Sequence, residues 1–121
     1  MNPLVSICIP LYNNASTIEE TVRSVISQTY RPLELVIVDD NSTDNSYDVV
    51  NSILAELPEN LDVLRHLERN TSNLGMSGNW NRCLSLCNGR YIKLLCADDT
   101  IDSSLVEREV EVLEHFPEVL S

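Results

Sequence analysis

The stretch Leu35-Val36-Ile37-Val38-Asp39-Asp40-Asn41-Ser42-Thr43-Asp44 decides the fold of this chain. Four apolar residues, three of them β-branched, end abruptly in two carboxylates and a polar turn. An unbroken apolar run of this kind predicts a strand buried on both faces, as in parallel sheets covered by helices. Ligands of such sheets sit beyond the carboxyl ends of the strands, so Asp39 and Asp40 stand where a ligand would be met. The plainer alternative has Asp44 capping the next helix while the pair only solvates a turn. That role requires one carboxylate, whereas three lie within these six residues.

Outward from this stretch, the chain alternates two periodicities. Leu4 to Ile9 is apolar and β-branched and stops at Pro10, which predicts a first strand. Residues 16–28 carry Ile18, Val22, Val25 and Ile26 at helical spacing, with Ser16 as cap and Glu19 three positions later. Arg31-Pro32 breaks the pattern before the deciding strand. Thr43 or Asp44 then opens a second helix, with Tyr47, Val50, Ile53, Leu54 and Leu57 on one face and Pro58 at its close. Leu61 to Leu67 predicts a weaker strand, at an edge, because Arg65 and His66 interrupt its apolar character. A polar loop from Glu68 to Ser77 precedes a third helix bearing Trp80, Leu84 and Cys87. Asn88-Gly89 stops it, with glycine where a left-handed cap would sit. Tyr91 to Cys96 reads as a fourth, interior strand and also ends in acid, Ala97-Asp98-Asp99. Leu105 to Phe116 is a last helix, ending at Pro117. The order β-α-β-α-β-α-β-α argues for an open, mainly parallel α/β sheet with helices on both faces, a Rossmann-like half.

Composition narrows the function classes. A chain of 121 residues makes one domain, able to bury roughly two-thirds of its unfolded surface. A hydrophobic content of 43% excludes a disordered chain. Net charge is −11 with only eight Lys and Arg, which argues against nucleic acid as a partner. No apolar run reaches the length of a membrane span, and the N-terminus lacks the basic and apolar regions of a signal peptide. The expected location is the cytoplasm or, in a longer protein, the inner face of the membrane as a peripheral enzyme. The four cysteines fit that location: no CxxC pair exists and neither histidine is well placed for zinc, so buried free thiols are expected.

Strands one, two and four discharge at the same edge. Pro10-Leu11-Tyr12-Asn13, Asp39-Asp40 and Asp98-Asp99 are therefore expected to converge on one cleft with an aromatic ring and four carboxylates. Tyr12 offers a face for stacking on a base, or is simply a half-buried loop aromatic. Asp98-Asp99 can supply oxygen ligands to Mg²⁺ or Mn²⁺, cations commonly shared between carboxylates and substrate phosphates. Alternatively, one of them caps the helix near Asp102. A dinucleotide-binding domain would require GxGxxG after strand one, and Pro10-Leu11-Tyr12-Asn13-Asn14 supplies none of it. A phosphoacceptor receiver domain would place its acidic pair after strand one and a lysine at a later strand end. Here the only lysine, Lys93, sits inside a strand.

Val5-Ser6-Ile7-Cys8-Ile9-Pro10-Leu11-Tyr12-Asn13, Ser24-Val25-Ile26-Ser27-Gln28-Thr29 and Glu34 to Asp44 resemble the start of a family 2 glycosyltransferase. Asn73-Leu74-Gly75 with Asn81, Gly89-Arg90-Tyr91-Ile92 and Leu95-Cys96-Ala97-Asp98-Asp99 continue the resemblance in order, over nearly the whole chain. The resemblance implies a GT-A fold and inverting transfer of a sugar from a nucleotide donor, usually a UDP-sugar, to a glycan or lipid-linked acceptor. By position, it implies that Pro10 and Tyr12 line the nucleotide pocket and that Asp40 binds the base. It further implies that Asp98 contacts the ribose and that Asp99 holds Mn²⁺ or Mg²⁺ on the diphosphate. Many members read Asp-Ala-Asp-Asp where this chain has Cys96 first. Family members run well past this length, so residues 1–121 are expected to be the nucleotide-sugar-binding part of a longer domain. The general base is expected beyond Ser121, a homodimer through an exposed sheet edge is a possible partner state, and a non-catalytic nucleotide-binding module is the competing reading.

Overall fold

The computed structural model describes residues 2–115. It is a four-stranded, wholly parallel sheet in the order β3-β2-β1-β4. The strands are β1 (Val5–Leu11), β2 (Leu33–Asp39), β3 (Val63–Arg69) and β4 (Tyr91–Leu94), and the helices are α1 (Ile18–Ile26), α2 (Ser46–Glu56), α3 (Gly75–Ser85) and α4 (Leu105–His115). The expected open, parallel α/β architecture is what the chain adopts. Among the described residues, no helix is long and apolar enough to cross a membrane. Phe116 and Pro117, expected to close the last helix, lie outside the described residues.

β2 is central and every one of its residues is buried, as its continuous apolar run requires. It starts two residues before the apolar run, at Leu33, and so takes the charged Glu34 into the sheet. The sheet divides the core in two. Val5, Ile7, Ile9 and Leu11 of β1 face α1, α2 and α4 through Ile18, Val22, Val25, Val50, Ile53, Val106 and Val110. The opposite face packs Cys8, Val36 and Val38 against Cys83 of α3. The alternation of side chains along a strand accounts for this partition. β3 lies at an edge and alternates burial, as expected for the strand interrupted by Arg65 and His66.

Several local expectations give way to tertiary contacts. α1 begins at Ile18 behind Thr17, with no side-chain cap, and Ser16 plays no capping part. The Thr17 hydroxyl instead donates to the Ala97 carbonyl at 3.0 Å, while Glu19 pairs with Arg23 at 2.8 Å. α2 starts at Ser46, because Thr43 and Asp44 are used in a turn that holds the first loop. α3 starts at Gly75, earlier than expected, and presents Asn79 and Cys83 inward. Leu84 is therefore exposed and Trp80 only half-buried, while Cys87 lies past the helix end. Gly89 is not in the left-handed region. Its lack of a side chain serves a close approach, since a Cβ there would sit 2.6 Å from the Ser6 backbone nitrogen. β4 ends at Leu94 and, among the described residues, occupies an edge rather than the interior.

Glu34 carries a buried polar network within the sheet. Its carboxylate accepts from the Ser6 hydroxyl and the Asn88 backbone at 2.7 Å each and from Asn88 Nδ2 at 2.9 Å, with His66 Nε2 3.4 Å away. Burial alone would push this carboxyl up. The hydrogen bonds from Asn88 and Ser6, together with neighbouring His66, outweigh burial and hold it below the ordinary glutamate range.

Candidate functional site

The chain proceeds from β1 outward to β2 and β3, then returns to place β4 on the other side of β1. A parallel sheet opens a crevice at such a reversal, outside the carboxyl ends of the two strands that flank it. The segments beyond β1 and β4 meet there. A cavity of about 390 Å³ is lined by Pro10 and Leu11 at the end of β1 with Tyr12 and Asn14 beyond it, and by Cys96, Ala97 and Asp98 beyond β4. Asp40, Asn73, Gly75, Met76, Asn79 and Trp80 complete it.

Asp39 and Asp40 part company at the end of β2. Asp39 is wholly buried and does not line the cavity. Its carboxylate accepts from the Ser42 hydroxyl at 2.5 Å and lies 3.3 Å from Arg69 Nε. Arg69 in turn lies over the ring of Tyr47. The expectation of four carboxylates in one cleft is therefore corrected: Asp40 and Asp98 line the cavity, Asp99 stands beside Asp98, and Asp39 belongs to the protein interior. Successive strand residues point to opposite sides, so an adjacent acidic pair is divided.

Asp40 reaches the cavity with most of its acceptor capacity occupied. Asn70 Nδ2 donates to Oδ1 at 2.8 Å, the Leu74 amide donates to Oδ1 at 2.7 Å and the Gly75 amide to Oδ2 at 3.0 Å. The carboxylate thus caps the first turn of α3, where free amides favour an anion. Gly75, at φ +80°, supplies the left-handed backbone that aims its amide there. Asn79 extends the network, accepting from Asn70 at 3.0 Å and donating to the Val38 carbonyl at 3.1 Å.

The turn between β2 and α2 fastens the loop after β1. Asn13, itself left-handed, accepts through Oδ1 from the Thr43 amide at 2.9 Å. Its own amide donates to Ser42 Oγ at 2.9 Å, and the Asn14 amide donates to Ser46 Oγ at 2.8 Å. Hydrogen bonds from Ser46 hold the Asp44 carboxyl below the usual aspartate range. Ser42, Thr43 and Asp44 thus position Tyr12 without lining the cavity themselves. Tyr12 is partly exposed at the rim.

On the other wall, the Ala97 carbonyl accepts from the Thr17 and Thr21 hydroxyls, both at 3.0 Å. The Asp99 amide closes a turn onto the Cys96 carbonyl at 3.1 Å. Cys96, expected to be a buried thiol, is exposed, unlike Cys8 and Cys83. One ligand atom from each of Cys96, Asp98 and Asp99 lies within 4.8 Å of the others. Two carboxylates and a thiol at that separation fit a divalent cation, whose bonds to oxygen and sulfur are about 2.0–2.3 Å long.

A second groove of about 360 Å³ lies between β4 and α4. Its walls are mainly apolar, and its Lys93 is paired with Glu109 at 3.0 Å, so among the described residues it offers no converging carboxylates. Sequence reasoning missed Asn70, Asn79, Met76 and Trp80 as parts of the site. Only the register of β2 with β3, which sets Asp39 opposite Arg69 and so Asp40 beside Asn70, could have found the first.

The sequence and the fold have counterparts among known proteins. The chain is 36% identical over 111 residues to UDP-Glc:alpha-D-GlcNAc-diphosphoundecaprenol beta-1,3-glucosyltransferase WfaP of Escherichia coli, covering 92% of this chain and 41% of that protein. It is 30% identical over 107 residues to the glycosyltransferase GlyG of Streptococcus pneumoniae, covering 88% of this chain and 34% of that one. The chain therefore spans well under half the length of these relatives. The fold matches the mannosyltransferase PcManGT of Pyrobaculum calidifontis in complex with GDP-Man and Mn²⁺, with a TM-score of 0.83, 27% identity, and coverage of 93% of this chain and 33% of that one. It also matches S. aureus TarS in complex with UDP-GlcNAc, with a TM-score of 0.81, 23% identity, and coverage of 95% and 32%. The family model described as glycosyl transferase family 2 matches residues 6–120, and the chain belongs to that family.

Proposed function

We propose that this chain is the nucleotide-sugar-binding part of an inverting glycosyltransferase that takes its sugar from a UDP-sugar and delivers it to a glycan or lipid-linked acceptor. The observation that carries this reading is the cavity at the reversal between β1 and β4, which faces both Asp40 and Asp98 and borders the Cys96, Asp98 and Asp99 cluster. It is supported by the neighbours, which hold UDP-GlcNAc in one case and GDP-Man with Mn²⁺ in the other.

In this reading, Pro10 and Tyr12 line the nucleotide pocket, with the exposed Tyr12 ring covering the base. Asp40 has three donors on a carboxylate with about four acceptor sites, so one site remains for an N–H of the base. Asp98 accepts from the ribose, and Asp99 is the carboxylate ligand of Mn²⁺ or Mg²⁺. Bound there, the divalent cation supplies Lewis-acid neutralisation of the departing nucleoside diphosphate. The need for it follows from charge: a diphosphate brought to exposed carboxylates on a chain of net charge −11 is otherwise repelled.

Titration calorimetry tests the reading. UDP should bind more tightly than UMP, and only with Mn²⁺ or Mg²⁺ present. Equal affinities with and without EDTA would remove the metal from the site. Hydrolysis or transfer of the UDP-sugar separates an enzyme from a module that only binds. Self-association through the outer edge of β4, which has no partner strand among the described residues, would give a mass above 13.6 kDa by light scattering.

A further inference from the structure

We propose that Cys96 supplies a thiolate to the divalent cation held by Asp99, beside the ribose-binding Asp98, making this a mixed sulfur and oxygen centre that favours softer ions over Mg²⁺. The inference rests on the metal reading above and adds the ligand that sets ion preference. Sγ of Cys96 and one carboxylate oxygen from each aspartate lie within 4.8 Å of one another. Donor atoms on opposite sides of one ion are about 4.6 Å apart, so atoms within 4.8 Å of one another come into reach of one ion with little turning of the side chains.

The backbone that carries these groups is held. Leu95 continues the pairing of β4 with β1 through its amide and the Cys8 carbonyl at 2.9 Å. Ala97 is buried, and two threonine hydroxyls of α1 fix its carbonyl. The turn from Cys96 to Asp99 then brings the first and last side chains of the cluster together. Cys96 is a free, exposed thiol that lines the same cavity as Asp98 and Asp40, so it meets an ion from the side on which a diphosphate would arrive.

The chemistry of the donor set decides the preference. Mg²⁺ takes oxygen ligands in a strict octahedron and keeps several waters, whereas thiolates select softer ions. On binding, the Cys96 S–H bond breaks and its proton passes to solvent. The sulfur lone pair forms the metal–sulfur bond and displaces one bound water, so no oxidant or reductant is required.

The test uses Cd²⁺ as the probe, read by the ultraviolet charge-transfer absorption that a cadmium–thiolate bond produces. The parent protein should develop this band, and both Cys96→Ser and Asp99→Asn should lose it. Cys96→Asp should give no band with Cd²⁺, retain Mn²⁺ binding by calorimetry and shift preference toward Mg²⁺. Cys8 and Cys83 are buried in the core and Cys87 is half-buried beside them. A band that survives in Cys96→Ser therefore comes from another thiol and overturns the proposal. Mn²⁺ binding that depends on Asp99, with no cadmium band in the parent, overturns the thiolate and leaves the metal reading standing. Absence of binding by either ion, with UDP present, overturns both.

Discussion

Asn70 donates its side-chain amide to Asp40 at 2.8 Å, tying the end of β3 to the residue that follows β2 at the mouth of the cavity. The contact sets Asp40 apart from its neighbour Asp39, which is paired one step earlier in the register with Arg69. Asp40 is thus both a wall of the cavity and the anchor of α3.

Asp40→Ala should consequently have two effects. It leaves the Leu74 amide without its acceptor and removes one of two acceptors from the Gly75 amide and from the Asn70 side chain, costing about 1–3 kcal/mol of stability. It should also weaken uridine and UDP alike, with calorimetry on the folded protein separating this loss from the urea midpoint. Unchanged nucleotide affinity would remove Asp40 from the base site.

Asp39→Ala should behave differently. Its partners are the Ser42 hydroxyl and amide and Arg69, and neither residue lines the cavity. Stability should fall by about 1–3 kcal/mol in denaturant titrations, with UDP affinity retained below the unfolding transition.

Asp99→Asn should abolish the metal dependence of UDP binding while uridine binding persists. The amide keeps the shape of the side chain but loses the charge a divalent cation requires. Calorimetry with uridine and with UDP, each with and without Mn²⁺, provides the comparison.

Glu34 should set part of the acid limb of stability. Its folded pKa is lowered relative to the unfolded value of about 4.3, so its contribution is fully present above that value. The contribution is lost as pH falls through the folded pKa. Glu34→Gln should therefore lower stability at neutral pH by about 1–3 kcal/mol, since an amide cannot accept all the hydrogen bonds from Ser6 and Asn88. The difference from the parent should narrow below about pH 4, measured by urea titrations along the pH series.

Gly89→Ala should destabilise by about 1–3 kcal/mol through steric overlap. The added methyl would meet the Ser6 backbone nitrogen and hydroxyl, both at 2.6 Å, and the Gly89 amide would be pushed from its 2.7 Å bond to that hydroxyl. Thermal melting checks this. An unchanged midpoint would mean that β1 yields at Ser6.

The sequence by itself determined the class of sheet and the order of its elements. A run such as Leu35 to Val38 can only be buried on both faces, and helical spacing in Ile18, Val22 and Val25 sets what covers it. It also showed that strand ends carry acid, because Asp39-Asp40 and Asp98-Asp99 follow apolar runs directly. Tertiary structure alone decided what each carboxylate does. Asp40 meets Asn70 across 30 residues and Ala97 meets Thr17 across 80, separations that no local periodicity encodes. The same holds for α3, whose inward face is Asn79 and Cys83 because Asn79 completes the network beneath Asp40, although Trp80 and Leu84 are the larger apolar residues. The strand order places β4 against β1, and that reversal opens the cavity and draws Cys96 to its wall. Local spacing reports which face of an element is apolar. Which strand lies beside which is settled by the packing of the whole sheet, and with it the position of the site.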